Sequence, residues 1–276
     1  MVKWLLILLG LGVAGAGALA GYSFFEARRD PVVRQARVAL PDWPQGAAPL
    51  RVVLISDVHI GTPAMDGARL ARIVAQINAL HPDLVVIAGD FIFGHVPGSA
   101  GRLGAPMVAP LKALSAPLGV VAVLGNHDHW TGGETVRGLL EQAGVTVVEN
   151  KAIRRGVLVL GLLGDDFSHH ADLPATLAAM DALAGPRLML THSPDIAPKL
   201  PARIPLLLAG HTHCGQVMIP FHGPVSDVSR YGARYRCGVR IEGGRTVITT
   251  AGLGTSGGPF RLGAPPDLWL VTVGGN

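Results

Sequence analysis

Five apolar runs in this chain each stop at a cluster of metal-ligating side chains. Val52-Val53-Leu54-Ile55 leads to Asp57-Val58-His59, and Leu84-Val85-Val86-Ile87-Ala88 to Gly89-Asp90. Val120-Val121-Ala122-Val123-Leu124 leads to Gly125-Asn126-His127-Asp128. Leu188-Met189-Leu190 leads to Thr191-His192, and Leu206-Leu207-Leu208-Ala209 to Gly210-His211-Thr212-His213. Short apolar runs of this kind read as strands buried on both faces. In open α/β sheets, ligands bind beyond the carboxyl ends of the strands. The pattern therefore crowds Asp, Asn and His along one sheet edge. A packed core has no use for so many polar groups, because burying them unpaired is costly.

The intervening text alternates with these strands. Asp66 to Leu80 reads as a helix, with Leu70, Ile73, Val74, Ile77 and Leu80 on one face at 3.6 spacing and Pro82 after its end. Pro106–Leu114, Glu134–Ala143 and Leu173–Leu183 are weaker helical stretches. Valines 145, 147 and 148, Val157–Leu163, Val239–Ile241, Val247–Thr249 and Leu268–Val273 read as strands, and Val38 and Leu40 as a first edge strand. With 276 residues, 49% of them hydrophobic, the chain can bury one large α/β core. The expected fold class is α/β: two packed mixed β-sheets flanked by helices, preceded by a transmembrane helix.

Carboxylate, imidazole and carboxamide are ligands for divalent Mn, Fe or Zn. Asp57 and His59, two apart on an extended strand end, would point the same way. Asp90 is a lone carboxylate that can bridge two cations and offset their repulsion. Asn126 offers a neutral oxygen. His192 and His211 offer imidazoles to a second metal, and His213 can turn back to the first. His127, directly after a ligand, is placed as proton donor to a leaving oxygen, with Asp128 holding its ring. Two ions can clamp a phosphoryl group and supply a hydroxide that attacks phosphorus in line.

Asp57-x-His59, Gly89-Asp90, Gly125-Asn126-His127-Asp128, His192 and Gly210-His211-x-His213 together resemble the calcineurin-like metallophosphoesterase superfamily. Leu54-Ile55-Ser56-Asp57-Val58-His59, Gly210-His211-Thr212-His213-Cys214-Gly215-Gln216, Ser229-Arg230-Tyr231-Gly232 and Gly252-Leu253-Gly254-Thr255-Ser256 resemble its small bacterial membrane-anchored branch. The resemblance implies a double β-sandwich over about residues 50–274. It implies one metal held by Asp57, His59, Asp90 and His213, and another by Asp90, Asn126, His192 and His211, with His127 catalytic. It also implies a phosphate mono- or diester or a pyrophosphate as substrate. A lipid-linked phosphate such as UDP-diacylglucosamine is one candidate by analogy. The alternative is a tethered protein that binds a phospho-ligand without turnover; the intact His127-Asp128 pair speaks against it.

Residues 4–25 carry no charge, roughly 33 Å of helix at about 1.5 Å per residue. This run reads as an uncleaved anchor (residues 1–25). The rival is a signal peptide cut after Ala18-Leu19-Ala20. Proline-bearing residues 26–49 read as a linker, and 50–274 as the catalytic domain. Arg28, Arg29, Arg34 and Arg37 outnumber Lys3, which by the positive-inside rule favours a cytoplasmic catalytic domain. These arginines, and Arg230, Arg234, Arg236, Arg240, Arg245 and Arg261, read first as membrane-flanking and solvated charge. Attraction to an anionic substrate or lipid headgroup is their functional reading. No basic run with interleaved aromatics occurs, so no nucleic-acid partner is expected.

Cys214 and Cys237 read first as free thiols; a bridge and a metal or redox role are the other readings. His81 and His222 read as turn and loop residues. His95 and His129-Trp130 are possible pocket residues, and Asp165-Asp166 with His169-His170 read as a solvated loop.

Overall fold

The computed structural model describes residues 2–275. In chain order it contains α1 (Val2–Arg28), β1 (Val32–Ala39), β2 (Leu50–Ile55), α2 (Gly67–Asn78), β3 (Leu84–Ala88), α3 (Ala100–Lys112), β4 (Val120–Val123), α4 (Asn126–Gln142) and β5 (Thr146–Val147). There follow β6 (Lys151–Arg155), β7 (Leu158–Leu162), α5 (Leu173–Asp181), β8 (Arg187–Leu190), β9 (Leu206–Ala209), β10 (Met218–Ile219), β11 (Gly223–Pro224), β12 (Gly238–Glu242), β13 (Arg245–Thr249) and β14 (Asp267–Gly274). One six-stranded sheet runs β1-β14-β2-β3-β4-β5, the other β12-β13-β9-β8-β7-β6. The two sheets are mixed: β2, β3 and β4 are mutually parallel, as are β7, β8, β9 and β13.

Alternation along each strand builds the layers. Val52, Leu54, Val86 and Val121 face Leu160, Leu188, Leu190, Leu206 and Leu208 in the space between the sheets. Val53, Ile55, Val85 and Ile87 point the other way, onto Leu70, Ile73 and Ile77 of α2, Met107 of α3 and Leu140 of α4. The far face of the second sheet packs Val159, Met189 and Leu207 on Met180 of α5 and on Ile196. This is the expected sandwich with helices outside.

Helix boundaries show where local pattern misleads. α2 starts where expected, because Asp66 accepts a hydrogen bond from Arg69 N at 2.8 Å. α3 starts six residues before Pro106 and carries Pro106 and Pro110 inside it. Burial of Ala100, Met107 and Leu111 against the core offsets the lost backbone bonds. α4 begins at Asn126, not Glu134, and kinks at Gly132 (φ 134°, ψ 79°). Its first turn is therefore part of the strand-end cluster.

The stretch read as a linker contains β1, which pairs in parallel with β14 along the sheet edge. α1 is long and apolar enough to cross a membrane, and its apolar window is unburied. Its last turn differs: Ser23, Glu26 and Ala27 are buried on the domain.

Candidate metal centre

All five strand-end motifs meet where the two sheets share an edge. Asp57 and His59 follow β2, Asp90 follows β3, and Asn126 and His127 open α4 after β4. His192 follows β8, and His211 and His213 follow β9. Asp57 and His59 do not converge through strand pleating, as the sequence suggests. Both have left the extended conformation, with φ of 50° and 47°. Asp90, His211 and His213 are left-handed too. Non-glycine residues rarely adopt this conformation, and such strain gathers at functional sites. Here it turns the chain back on itself, so that side chains near strand ends reach one point.

Small residues make room for this. A Cβ on Gly89 would sit 2.6 Å from Gly125 N and 2.9 Å from His192 Nδ1. A Cβ on Gly210 would sit 2.6 Å from Asp57 Oδ2.

The donor atoms fall into two groups joined by Asp90. In the first, His59 Nε2 lies 3.2 Å from His213 Nε2, and Asp57 Oδ1 lies 3.4 Å from His213 Nε2 and 3.8 Å from His59 Nε2. In the second, His192 Nε2 lies 3.1 Å from Asn126 Oδ1 and 3.1 Å from His211 Nδ1. Asp90 Oδ2 is 3.6 Å from His59 Nε2 and 3.3 Å from His192 Nε2. Ligands about 2.1 Å from a common ion stand about 3–3.4 Å apart, so this spacing suits a cation in each group. Asp57 Oδ1 is buried with no hydrogen-bond partner. A carboxylate oxygen without a partner is costly in protein and suited to a cation.

Electrostatics agree with the donor set. Burial pushes Asp57 up to about 6, against the pull of His192, Ser56 Oγ and His211 N. Burial pushes His59 down to about 3 and His211 to about 4, and His213 well below its ordinary value. These imidazoles are neutral, the form that ligates metal. His192 behaves oppositely: burial alone would lower it, but Asp90 at 3.3 Å holds it well above its usual value. Its Nδ1 donates to Ala88 O at 2.6 Å, which fixes the ring.

Asp128 does not hold the His127 ring, contrary to the sequence reading. Its Oδ1 accepts from Phe91 N and Ile92 N, and its Oδ2 from Gly125 N. It caps α4 and ties that helix to the Asp90 loop. The partner of His127 Nδ1 is Gly94 O at 2.9 Å, closer than Gly94 N at 3.4 Å, so we assign Nδ1 as the donor. His127 N donates to Asp90 Oδ1 at 2.9 Å. Burial lowers the His127 imidazole, opposed by Asp90 and Gly94.

A cavity of about 380 Å³ opens over the centre, bounded by His95, Trp130, Phe167, Val217, Val225 and Gly258 among others. His95 stacks on Trp130 (5.1 Å) and meets His127 edge-on (4.7 Å). His129 faces away, bonded to Glu149 and stacked on His170. The Asp165 loop is not simply solvated. Asp165 is fully buried and accepts from Phe167 N and Ser168 N, and Phe167 is thereby placed 4.5 Å from His211. His81 and His222 are exposed, as expected.

Sequence reasoning missed Phe167, Arg261 and Arg245, and put the cysteine bridge second to free thiols. Phe167 was one aromatic in a polar loop and carried little signal. Arg261, read as surface charge, is fully buried; it donates to Gly254 O, Ala251 O and Ala264 O and lies 3.3 Å from His213 Nδ1. Arg245 is likewise buried, donating to carbonyls of Ala197, Leu200, Pro201 and Ile204. Cys214 and Cys237 form a disulfide, not free thiols. The bridge closes the segment that supplies Val217, Val225 and Val228 to the cavity wall.

The calcineurin-like phosphoesterase family model matches residues 50–215. The chain is 29% identical to the uncharacterized metallophosphoesterase YkuE of Bacillus subtilis, covering 95% of this chain and 94% of that one. It is 29% identical to the phosphodiesterase YaeI of Escherichia coli (86% and 87% covered). It is 30% identical to a transmembrane protein with metallophosphoesterase domain from Danio rerio, of which it spans only 60% while 92% of this chain is covered. The family match runs through every strand whose end contributes to the cluster, and the donor atoms there have the spacing that metal ions require. The chain therefore belongs to the calcineurin-like phosphoesterases and is a metal-dependent phosphoric ester hydrolase.

Proposed function

We propose that this protein is a dinuclear enzyme acting on a phosphate ester or pyrophosphate that carries a lipid. The observation that carries the two-metal reading is Asp90 Oδ2, which lies within 3.6 Å of donors in both groups. Asp57, His59, His213 and Asp90 would hold one divalent ion, and Asp90, Asn126, His192 and His211 the other, with Mn, Fe or Zn fitting this donor set. Bound there, such a pair supplies a nucleophile at neutral pH and a clamp for phosphoryl charge. The chain's own groups do the rest. His127, its Nδ1–H held by Gly94 O, presents Nε2 to the cavity and in its doubly protonated form would pass the Nε2 proton to the leaving oxygen. His95, Trp130 and Phe167 form an aromatic wall of the cavity.

α1 is the membrane anchor in this reading. The Cys214–Cys237 bridge favours an exported domain over the cytoplasmic one suggested by arginine counting, because disulfides persist in oxidising compartments. The test is hydrolysis of bis-p-nitrophenyl phosphate by metal-stripped protein titrated with Mn²⁺. Activity rising to a plateau at two ions per chain supports the proposal. A plateau at one ion refutes the dinuclear reading, and metal binding without hydrolysis favours a phospho-ligand receptor.

A further inference from the structure

α1 joins the domain at the edge that holds the metal cluster. β1 runs parallel to β14, and β14 antiparallel to β2, so β1 starts where β2 ends. The chain thus enters the sheet at the edge where Asp57 lies. The junction is tied by several bonds. Arg261 N donates to Ser23 O at 2.9 Å, and Arg69 Nε and Nη2 donate to Arg28 O and Arg29 O at 3.1 and 2.9 Å. The Arg28 guanidinium reaches Pro63 O and Asp66 Oδ2. Arg69 and Arg261 are themselves fully buried, so this is a fixed joint. A membrane around the apolar part of α1 would lie against the metal-bearing edge.

A second cavity of about 150 Å³ sits at this joint. It is lined by Thr62, Pro63, Phe93, Thr255 and Pro259, and it shares Gly257 and Gly258 with the cavity over the metal cluster. Pro63 in its wall is the residue that accepts from Arg28. Phe93, also in its wall, stacks on His127 at 5.3 Å. Phe260 next to it is 40% exposed, an apolar ring beside the end of the membrane helix. The two cavities thus share a wall at Gly257 and Gly258, and the second is tied to the helix end through Pro63 and Arg28.

Resting on the phosphoesterase reading above, we propose that the second cavity takes the first carbons of an acyl or isoprenoid chain. The chain's phosphate lies at the metal cluster and its remainder stays in the bilayer. The substrate is then a membrane amphiphile drawn laterally from the lipid, with its polar part in the larger cavity under Trp130 and Phe167. A water-soluble ester would need neither the second cavity nor a rigid joint.

The test uses the full-length protein in phosphatidylcholine vesicles with Mn²⁺ and two diesters, p-nitrophenyl methyl phosphate and p-nitrophenyl hexadecyl phosphate. The expected result is faster hydrolysis of the hexadecyl ester. Thr62→Trp fills the second cavity, and Pro259→Asp puts a charge on its wall. Each should cut the hexadecyl-to-methyl rate ratio on the order of tenfold, the scale of an overpacking clash. Partitioning of the long ester into the vesicle is common to all variants, so it cannot produce that change. If both variants keep the wild-type ratio, or slow the two esters equally, the inference is overturned while the phosphoesterase reading stands. No metal-dependent hydrolysis of either ester would sink both.

Discussion

Replacing Asp90 by Asn tests the bridging carboxylate with almost no change of shape. Asp90 is buried, and its Oδ2 lies 3.6 and 3.3 Å from donors of the two groups. Two unit charges 4 Å apart attract by about 4 kcal/mol at an effective dielectric constant of about 20, so a dication is held by about 8 kcal/mol. An amide keeps an oxygen ligand and a dipole. If half the attraction survives, about 4 kcal/mol is lost, about a thousandfold in affinity. The second group suffers most, because Asn126, His192 and His211 bring no other anion to it. Metal at a thousand times its dissociation constant stabilises a fold by about 4 kcal/mol, and at its dissociation constant by only a few tenths. Wild type should therefore gain roughly 8–16 °C in Tm with Mn²⁺, and Asp90→Asn almost none. Without metal the variant should melt lower, since it loses the buried Asp90–His192 pair, although its amide oxygen can still accept from His127 N. Scanning calorimetry with and without Mn²⁺, beside metal analysis, reads both quantities. A variant with two bound ions, a wild-type Tm gain and near-normal turnover would refute the bridge.

Other substitutions probe separate parts of the reasoning. His127→Ala should keep both metals and lose on the order of 10²–10⁴ in rate, less for good leaving groups; loss of metal would make His127 a ligand instead. Truncation should depend sharply on its endpoint. Removing residues 1–21 leaves Ser23, Arg28 and Arg29 in place, whereas removing 1–30 strips acceptors from Arg69 and from Arg261 N, costing about 1–3 kcal/mol per unpaired donor. Equal melting temperatures for the two would show that the joint contributes nothing. Reducing the Cys214–Cys237 bridge releases a closed segment with a sequence separation of 23, which should cost about 3 kcal/mol. A Cys214→Ser, Cys237→Ser double variant unfolding at the wild-type urea midpoint would refute that.

The strand–ligand pattern fixed the fold class and the place of the site from sequence alone, because apolar period and strand-end chemistry are local properties. Val52–Ile55 followed by Asp57 and His59 states both where a strand ends and what its end carries. The helix over Gly67–Asn78 was equally readable, since its cap and apolar face lie within one segment. Roles that depend on contacts between distant segments were not readable. Asp128 sits beside His127 in sequence, yet its oxygens go to Gly125, Phe91 and Ile92, and the His127 ring goes to Gly94. Arg261 looks like any surface arginine until carbonyls of Ala251, Gly254 and Ala264 surround it. Cys214 and Cys237 offered three readings, and only their approach in space chose the bridge. The joint between α1 and the metal-bearing edge also follows from sheet order, because β1 must pair with β14, 233 residues from Arg34 to Asp267. Hydrophobic burial and backbone hydrogen bonding set each segment's local form. Which polar groups then meet is decided by the packing of the whole chain, since a buried donor or acceptor takes whatever partner the fold brings within about 3 Å.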